Sequence, residues 1–278
     1  MRFFKSFLHG FSGAGNDNKA IRLKYFQKFP NVGDVFSRVV AEHYFSKNII
    51  PLRPAPVSET NLILLGSILH WADSQSVICG AGFMFSDAQL AVPPKTIVCV
   101  RGPLTAALLQ KQGITPPNRF ADPGVLSPLL FKKQFKVKHK IGIIPHYRDA
   151  GSVWIKRCKN QGFPIIDVFA SPEKFFRKIQ QCEVIMSSSL HGLIFAHAYG
   201  KPAVWIELSD KVAGNGFKFF DYYQSVGIQP EIVNRVRIND YSDPLEISKT
   251  ATFADHKLLI ETMEESIYLT KKNLEPDC

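Results

Sequence analysis

Short apolar runs alternate with segments of helical period along most of this 278-residue chain, and that alternation narrows its possible folds more than any other feature. "NLILLG" (61–66), "SVICG" (76–80) and "TIVCV" (96–100) each end near glycine or a polar residue. Their continuous hydrophobicity suits strands buried on both faces, as in a parallel sheet. Val35, Phe36, Val39, Val40 and Tyr44 recur at helical spacing. "GPLTAALLQKQG" (102–113) reads as a helix with Pro103 in its first turn and Gly113 just past its end. A basic run, "FKKQFKVKHK" (131–140), interrupts the pattern, which then restarts. "KIGIIPHY" (140–147), "PIIDVFA" (164–170), "EVIMS" (183–187) and "PAVWIE" (202–207) read as strands. "SPEKFFRKIQQC" (171–182) reads as a helix capped by Ser171 with Pro172 first, and "LHGLIFAHAYG" (190–200) as the next helix.

Strand and helix thus alternate twice, on either side of a Lys-rich hinge near 132–140, so the expected class is α/β with two Rossmann-like doubly wound domains facing a cleft. The expected boundaries are 1–135, 136–250, and a C-terminal helix within 251–278 that packs back on the first domain. Ligands of such sheets bind beyond the carboxyl ends of the strands.

With 45% hydrophobic and 21% charged residues, the chain can bury a full core. No apolar run reaches the ~20 residues of a membrane-spanning helix. The start, "MRFFKSFLHGFSGAGNDNK", is broken by polar residues before a signal-peptide core develops, so the chain reads as cytoplasmic. "RFFKSFL" alternates basic and aromatic residues, which offers contact with the inner face of an anionic membrane as a minority reading beside a plain first strand. Cys79, Cys99, Cys158, Cys182 and Cys278 are odd in number and scattered, which favours free thiols over disulfides or a zinc site. The net charge of +10 points to anionic partners. No nucleic-acid motif accompanies it, and the run at 131–140 reads first as a solvated linker.

The expected strand ends carry the chemistry. His191 lies where the strand at 183–187 turns into a helix, and the unpaired N–H groups of such a turn attract phosphate or carboxylate. Ser188, Ser189 and Gly192 are small enough for close approach of a ligand, although a serine-capped helix with an incidental histidine explains the same stretch. Arg101 follows the strand at 96–100, and its planar fork suits an anion, but it is also an ordinary first solvated position. Asp34 in "NVGDVFSRVV" reads structurally as a helix N-cap and functionally as a general acid or base. "ELSDKVAGNGFK" supplies Lys211 and Lys218.

Taken in order, "NVGD" (31–34), "GSIL" (66–69), "VRGPLTAALLQKQG" (100–113), "ADPGVL" (121–126), "SSLHGLIFAHAYGKPAV" (188–204) and "SDKVAG" (209–214) resemble the polysaccharide pyruvyl transferase family. The resemblance covers roughly residues 30–226, leaving the first thirty residues and the tail without a counterpart. It implies a fold similar to metal-independent GT-B glycosyltransferases, with phosphoenolpyruvate as donor substrate and no metal or other cofactor. It also implies a sugar diol of a surface polysaccharide, or of its lipid-linked repeat unit, as acceptor. On that resemblance, His191 and Asp34 are the catalytic candidates. Arg101, Lys211, Ser188, Ser189, Leu190 and Gly192 bind the donor, and Asn31, Gly33 and Ser67 line the acceptor side. Many members carry arginine where this chain has Ser189, so anion binding leans on Arg101, Lys211 and backbone amides.

In the mechanism this implies, a sugar hydroxyl adds at C2 of the enol ester while C3 takes a proton, phosphate leaves, and the neighbouring hydroxyl closes a ketal. His191 is the acid or a clamp on the phosphate, and Asp34 the base. Two other readings compete. In one, a nucleotide-sugar glycosyltransferase of the same architecture uses Glu207 for ribose hydroxyls, an argument from fold analogy. In the other, the fold serves a non-catalytic carbohydrate-binding protein.

Overall fold

A computed structural model describes residues 20–274. In chain order its elements are β1 (Ile21–Lys24), α1 (Val32–Tyr44), β2 (Ile49–Leu52), β3 (Asn61–Ile63), β4 (Ser76–Cys79), β5 (Thr96–Cys99), α2 (Pro103–Lys111) and α3 (Ser127–Leu130). There follow β6 (His139–Ile144), α4 (Val153–Asn160), α5 (Pro172–Gln180), β7 (Cys182–Ser187), α6 (Leu190–Ala198), β8 (Ala203–Glu207), α7 (Phe217–Ser225), β9 (Arg235–Arg237), α8 (Pro244–Ser248) and α9 (Lys257–Leu274). They form two parallel sheets, a five-stranded one in the order β2-β1-β3-β4-β5 and a four-stranded one in the order β6-β7-β8-β9. The α/β pattern with parallel sheets on either side of the basic run is therefore present. The stretch "RFFKSFL" and Cys278 lie outside the described residues.

Most short apolar runs became strands for the expected reason. Ile78 of β4 sits between Ile63 of β3 and Ile97 of β5, and Ile63 and Ile78 are fully buried. The run at 164–170 departs from expectation and pairs only through a single bridge between Ile165 and Ile143. Its chain turns at Asp167, whose side chain accepts the N–H of Phe169 at 2.9 Å, so pairing stops there. Three strands that periodicity does not announce are β1, β2 and β9. β1 reads Ile-Arg-Leu-Lys, yet Lys24 is buried because its ammonium donates to Asp73 at 2.6 Å and to the Trp71 carbonyl at 3.1 Å. β2 contains Pro51 and lies at the sheet edge, where a missing N–H is tolerated. Pro103 and Pro172 open their helices as expected, and Gly113 takes the left-handed conformation after α2. Ser171, in contrast, makes no side-chain cap bond.

The two sheets share one apolar core. Phe36 of α1 meets Phe195 of α6 at 5.2 Å and Phe176 of α5 at 5.7 Å, and Phe176 meets Phe195 at 5.0 Å, all edge-on. Such pairs add about 0.5–1.5 kcal/mol each beyond burial. The basic run is exposed along its lysines, but Phe131 at its start packs 4.8 Å from Phe176, so the linker is anchored. Cys79, Cys99, Cys158 and Cys182 are free and buried. After the second sheet the chain returns to the first. α9 lies over β4 and β5, with Met263 Sδ 3.9 Å from Cys79 Sγ and Glu265 paired to Arg119 at 2.9 Å.

Leading into α9, the segment 252–256 is tied down by a buried polar chain. The Tyr222 hydroxyl of α7 lies 2.9 Å from His197 Nδ1 of α6 and 2.9 Å from His256 Nε2. The outer nitrogens of the two rings meet the carbonyls of Thr252 (3.2 Å) and Ala254 (3.0 Å).

The first sheet is joined to α7 by Arg101 and Asp221, whose side chains are both completely buried. Arg101 donates through Nε to Asp221 Oδ2 (2.9 Å), through Nη1 to Ser67 Oγ (2.8 Å) and through Nη2 to the Phe83 carbonyl (2.7 Å). Thr105 completes the carboxylate, donating its N–H to Oδ1 at 2.9 Å and its hydroxyl to Oδ2 at 2.7 Å. Removing one partner of such a pair strands a buried charge. Asp221→Ala is accordingly expected to destabilise the protein by about 3–5 kcal/mol, measured by urea unfolding at neutral pH.

Candidate active site

Several of the residues expected at strand ends, among them Asp34, Arg101 and His191, converge where the two sheets meet. At the start of α1, Asn31 rather than Asp34 is the N-cap, its Oδ1 accepting the Asp34 N–H at 3.2 Å. Asp34 therefore sits in the first turn, its carboxylate held by a short hydrogen bond from Asn31 Nδ2. The cap reading of Asp34 is thus corrected, because the Asn31 amide three residues earlier performs it. The N–H of Val32 donates to the Val168 carbonyl at 2.7 Å, which docks this helix start on the second half of the chain.

That docking brings Gly33 against His191. A Cβ at position 33 would fall 2.2 Å from His191 Nδ1 and 2.6 Å from its Cγ, so only glycine fits. His191 is in the first turn of α6, its ring stacked 5.8 Å from Phe195 and its side chain 14% exposed. The serines before it lock the turn. Ser187 Oγ donates to the Ile144 carbonyl at 2.9 Å and accepts the Ser189 N–H at 3.0 Å, while Ser188 Oγ accepts the N–H of His146 at 2.8 Å. The space at Gly192 is filled by this lock, since a Cβ there would meet Ser187 Oγ at 2.2 Å. Ser189 makes no side-chain cap bond, and Leu190 is buried. An uncapped helix start of this kind favours an anion.

Arg101 lies close enough to act electrostatically on His191, but its fork is committed to Asp221, Ser67 and Phe83. Ser67, expected on the acceptor side, is buried as one of those partners. Lys211 is exposed on the loop after β8, where its carbonyl accepts a long bond from Arg148 at 3.5 Å. The lysine that reaches the cluster is Lys218, buried in the first turn of α7 and felt electrostatically by Asp34, His146 and His191. Glu207 is occupied. Both of its oxygens are taken by Arg235, one in a short contact and one at 3.1 Å, and Arg237 adds a bond at 3.3 Å.

The pattern did not announce His146 and Asp122. His146 lies two residues past the end of β6 at Ile144, whereas the expected strand at 140–147 enclosed it. Asp122 hides as the cap of the 3-10 turn Pro123–Leu126, with Oδ1 accepting the Gly124 N–H at 2.8 Å. Its fully buried Oδ2 has no partner among the described residues and faces His191 Nε2, also unpartnered, at 3.9 Å. Of the two lysines that "ELSDKVAGNGFK" offered, Lys218 is the one buried in the first turn of α7.

Crowding of these groups away from water shifts their titration. Burial pushes Asp34 up to about 7, against the opposing Asn31 bond and the Lys218 charge. Burial likewise raises Asp122 to about 6. It lowers His191 to about 3 and His146 to about 4, with Lys218 adding to both. Burial and the Arg101 charge bring Lys218 down to about 8. Near neutrality the site thus holds neutral histidines, a carboxyl poised at half ionisation and a weakened ammonium.

A family model described as polysaccharide pyruvyl transferase matches residues 21–210. The chain belongs to that family. It is an enzyme acting on polysaccharide. Among similar proteins, the Succinoglycan biosynthesis protein ExoV of Rhizobium meliloti (strain 1021) is 33% identical over 178 residues, covering 61% of this chain and 55% of that protein. The Uncharacterized protein L143 of Acanthamoeba polyphaga mimivirus is 25% identical over 275 residues, covering 92% of this chain and 94% of that protein. The family match spans β1 through the loop after β8, and so includes Asp34, Arg101, Asp122, His146 and His191, but not Lys218.

Gly33→Ala is expected to cost about 1–3 kcal/mol in urea unfolding, because the added methyl must push α1 off His191. A pH prediction follows from the shifts. His146, His191, His197 and His256 are all held by burial at about 3–4, below the unfolded value of 6.5, so protonation favours unfolding. Their contribution is full above about 6.5 and fades as pH falls. Asp34 and Asp122, held above their unfolded value, act in the opposite direction between about 4 and 7. The histidines outnumber them, so stability should fall from pH 7 to 5, by roughly 1–3 kcal/mol per pH unit in urea titrations.

Proposed function

We propose that the enzyme transfers the pyruvate moiety of phosphoenolpyruvate to a sugar diol of a polysaccharide or its lipid-linked repeat unit, forming a ketal and releasing phosphate. The carrying observation is the convergence of Asp34, His191 and Lys218, from three separate segments, around the uncapped start of α6. In this reading the two sheets are Rossmann-like halves facing a cleft as in GT-B glycosyltransferases. Support comes from their parallel strands and from the position of Asp34, His146 and His191 beyond strand carboxyl ends.

The chemistry is assigned as follows. The donor's phosphate and carboxylate lie at the first turn of α6 and near Lys218, where helix N–H groups and an ammonium offset their charge. Arg101 contributes its field rather than a direct contact, since its donors are engaged. Asp34, raised to about 7, takes the proton of the attacking hydroxyl as that oxygen bonds to C2. His191 is neutral until the anion arrives, whose charge favours the imidazolium. The imidazolium then protonates C3, converting the methylene to a methyl group. Phosphate departs with the C2–O bonding pair, and the second hydroxyl closes the ketal with loss of its proton. The enzyme works in the cytoplasm, at the membrane face when the acceptor is lipid-linked; among the described residues no helix is long and apolar enough to cross a membrane. The nucleotide-sugar reading loses its main support, because Glu207 is bound to Arg235 and Arg237.

Incubation with phosphoenolpyruvate and acceptor glycans should release inorganic phosphate and add one carboxyethylidene group to the glycan, read by mass spectrometry. Release of a nucleoside phosphate from a nucleotide sugar, with none from phosphoenolpyruvate, would overturn the assignment. kcat/KM should rise with pH up to about 7 as Asp34 ionises, and His191→Ala should lower turnover by about 10²–10⁴-fold.

A further inference from the structure

We infer that Asp122 is the positioning residue for His191: its free oxygen accepts the Nε2 proton and fixes the tautomer, leaving Nδ1 to take up a proton when an anionic donor binds. The proposal rests on the pyruvyl-transfer reading only for the identity of that donor.

Its basis is a pair of buried polar atoms that have only each other. Asp122 Oδ2 and His191 Nε2 lack any partner among the described residues and lie 3.9 Å apart. Leaving both unsatisfied is costly, and a movement of about 1 Å brings them within hydrogen-bond range. The nearest cation cannot serve Asp122 instead, because Arg101 spends its donors on Asp221, Ser67 and Phe83.

The carboxylate is also held firmly. Its Oδ1 is fixed by the Gly124 N–H at 2.8 Å. Pro123 packs against Gly80, where a Cβ would come within 2.3 Å of it, and Gly124 packs against Ile194 and Phe195 of α6. The 3-10 turn carrying Asp122 and the helix carrying His191 are thus wedged together. On the other side the ring is confined by Gly33 and Phe195. A histidine gripped on its faces and anchored at one nitrogen has one tautomer and one direction of proton gain, and the carboxylate offsets the imidazolium charge once formed. Nδ1 faces the first turn of α1, the turn that bears Asp34. Each proton accepted there comes from solvent and returns the ring to neutrality when delivered to C3.

The decisive measurement is the ¹⁵N spectrum of the ligand-free protein's histidine rings, with His191 assigned by its loss in His191→Gln. Wild type should show the neutral Nε2–H tautomer. Asp122→Asn keeps the cap oxygen for Gly124 and turns an amide N–H toward the ring, so His191 should switch to Nδ1–H. With phosphoenolpyruvate and acceptor, the same variant should lose about 10–100-fold in kcat, with KM for phosphoenolpyruvate changed less than about 3-fold, the size seen when outer orienting groups are removed. A wild-type Nδ1–H tautomer, a tautomer indifferent to Asp122→Asn, or a switched tautomer with unchanged kcat would each overturn the proposal. Should the variant not fold, the wild-type tautomer still decides it. Absence of any phosphate release by wild type would instead sink the pyruvyl-transfer reading, with the spectrum still testing the pair.

Discussion

Arg101 and Asp221 form an ion pair with neither side chain exposed, and the geometry of the site follows from it. A guanidinium at the end of β5 must find its counter-charge across the boundary between the sheets, and Asp221 meets it from α7. Lys218 lies one turn earlier on the same face of that helix, so the pair that locks α7 also aims the lysine. Gly82 and Gly102 make room for the pair. A Cβ at 82 would fall 2.5 Å from the guanidinium carbon, and one at 102 would fall 2.0 Å from the Asp221 carbonyl. A buried pair of this kind adds little net stability, but breaking it is costly, which makes it better suited to fixing an arrangement than to strengthening one.

Around that fixed point the unliganded site avoids accumulating charge. Lys218 is lowered by burial and by Arg101, His191 and His146 are neutral, and Asp34 is half ionised. The two histidines are held in a neutral state that an approaching anion would reverse, since opposite charge favours the ionised form, and the same anion would strengthen the Lys218 ammonium. Binding an anion and preparing a proton donor are therefore one event in this cluster, driven by the same field. The uncapped first turn of α6 supplies the part of that field that does not titrate.

The α/β class and most strands were readable in the sequence, because strands buried on both faces carry uninterrupted apolar runs, as around Ile63, Ile78 and Ile185. β1 escaped because Lys24 is neutralised by Asp73, a partner far away in sequence, so a buried strand wears a polar pattern. Arg101 and His191 were legible by position, as polar residues beyond strand ends, and Asp34 as a carboxylate at the start of an amphipathic helix. Their partners were not. Asp122 resembles an ordinary cap before proline, and which of Lys211 and Lys218 matters is decided only when α7 folds across to the first sheet. Nor could the sequence tell that Arg101 would be spent internally, since a guanidinium looks the same whether its partner is a ligand or Asp221.

The Tyr222 hydroxyl stands between two imidazoles whose far nitrogens each face a backbone carbonyl. A carbonyl can only accept, so each ring commits its single neutral-state hydrogen outward and turns a lone pair inward. One phenolic hydrogen then serves two inward lone pairs, and one of the two 2.9 Å contacts contains no hydrogen at any instant. That hydrogen has two resting places, toward α6 or toward the segment leading into α9. The fastening between the second sheet and the C-terminal helix is by its own valence one hydrogen short.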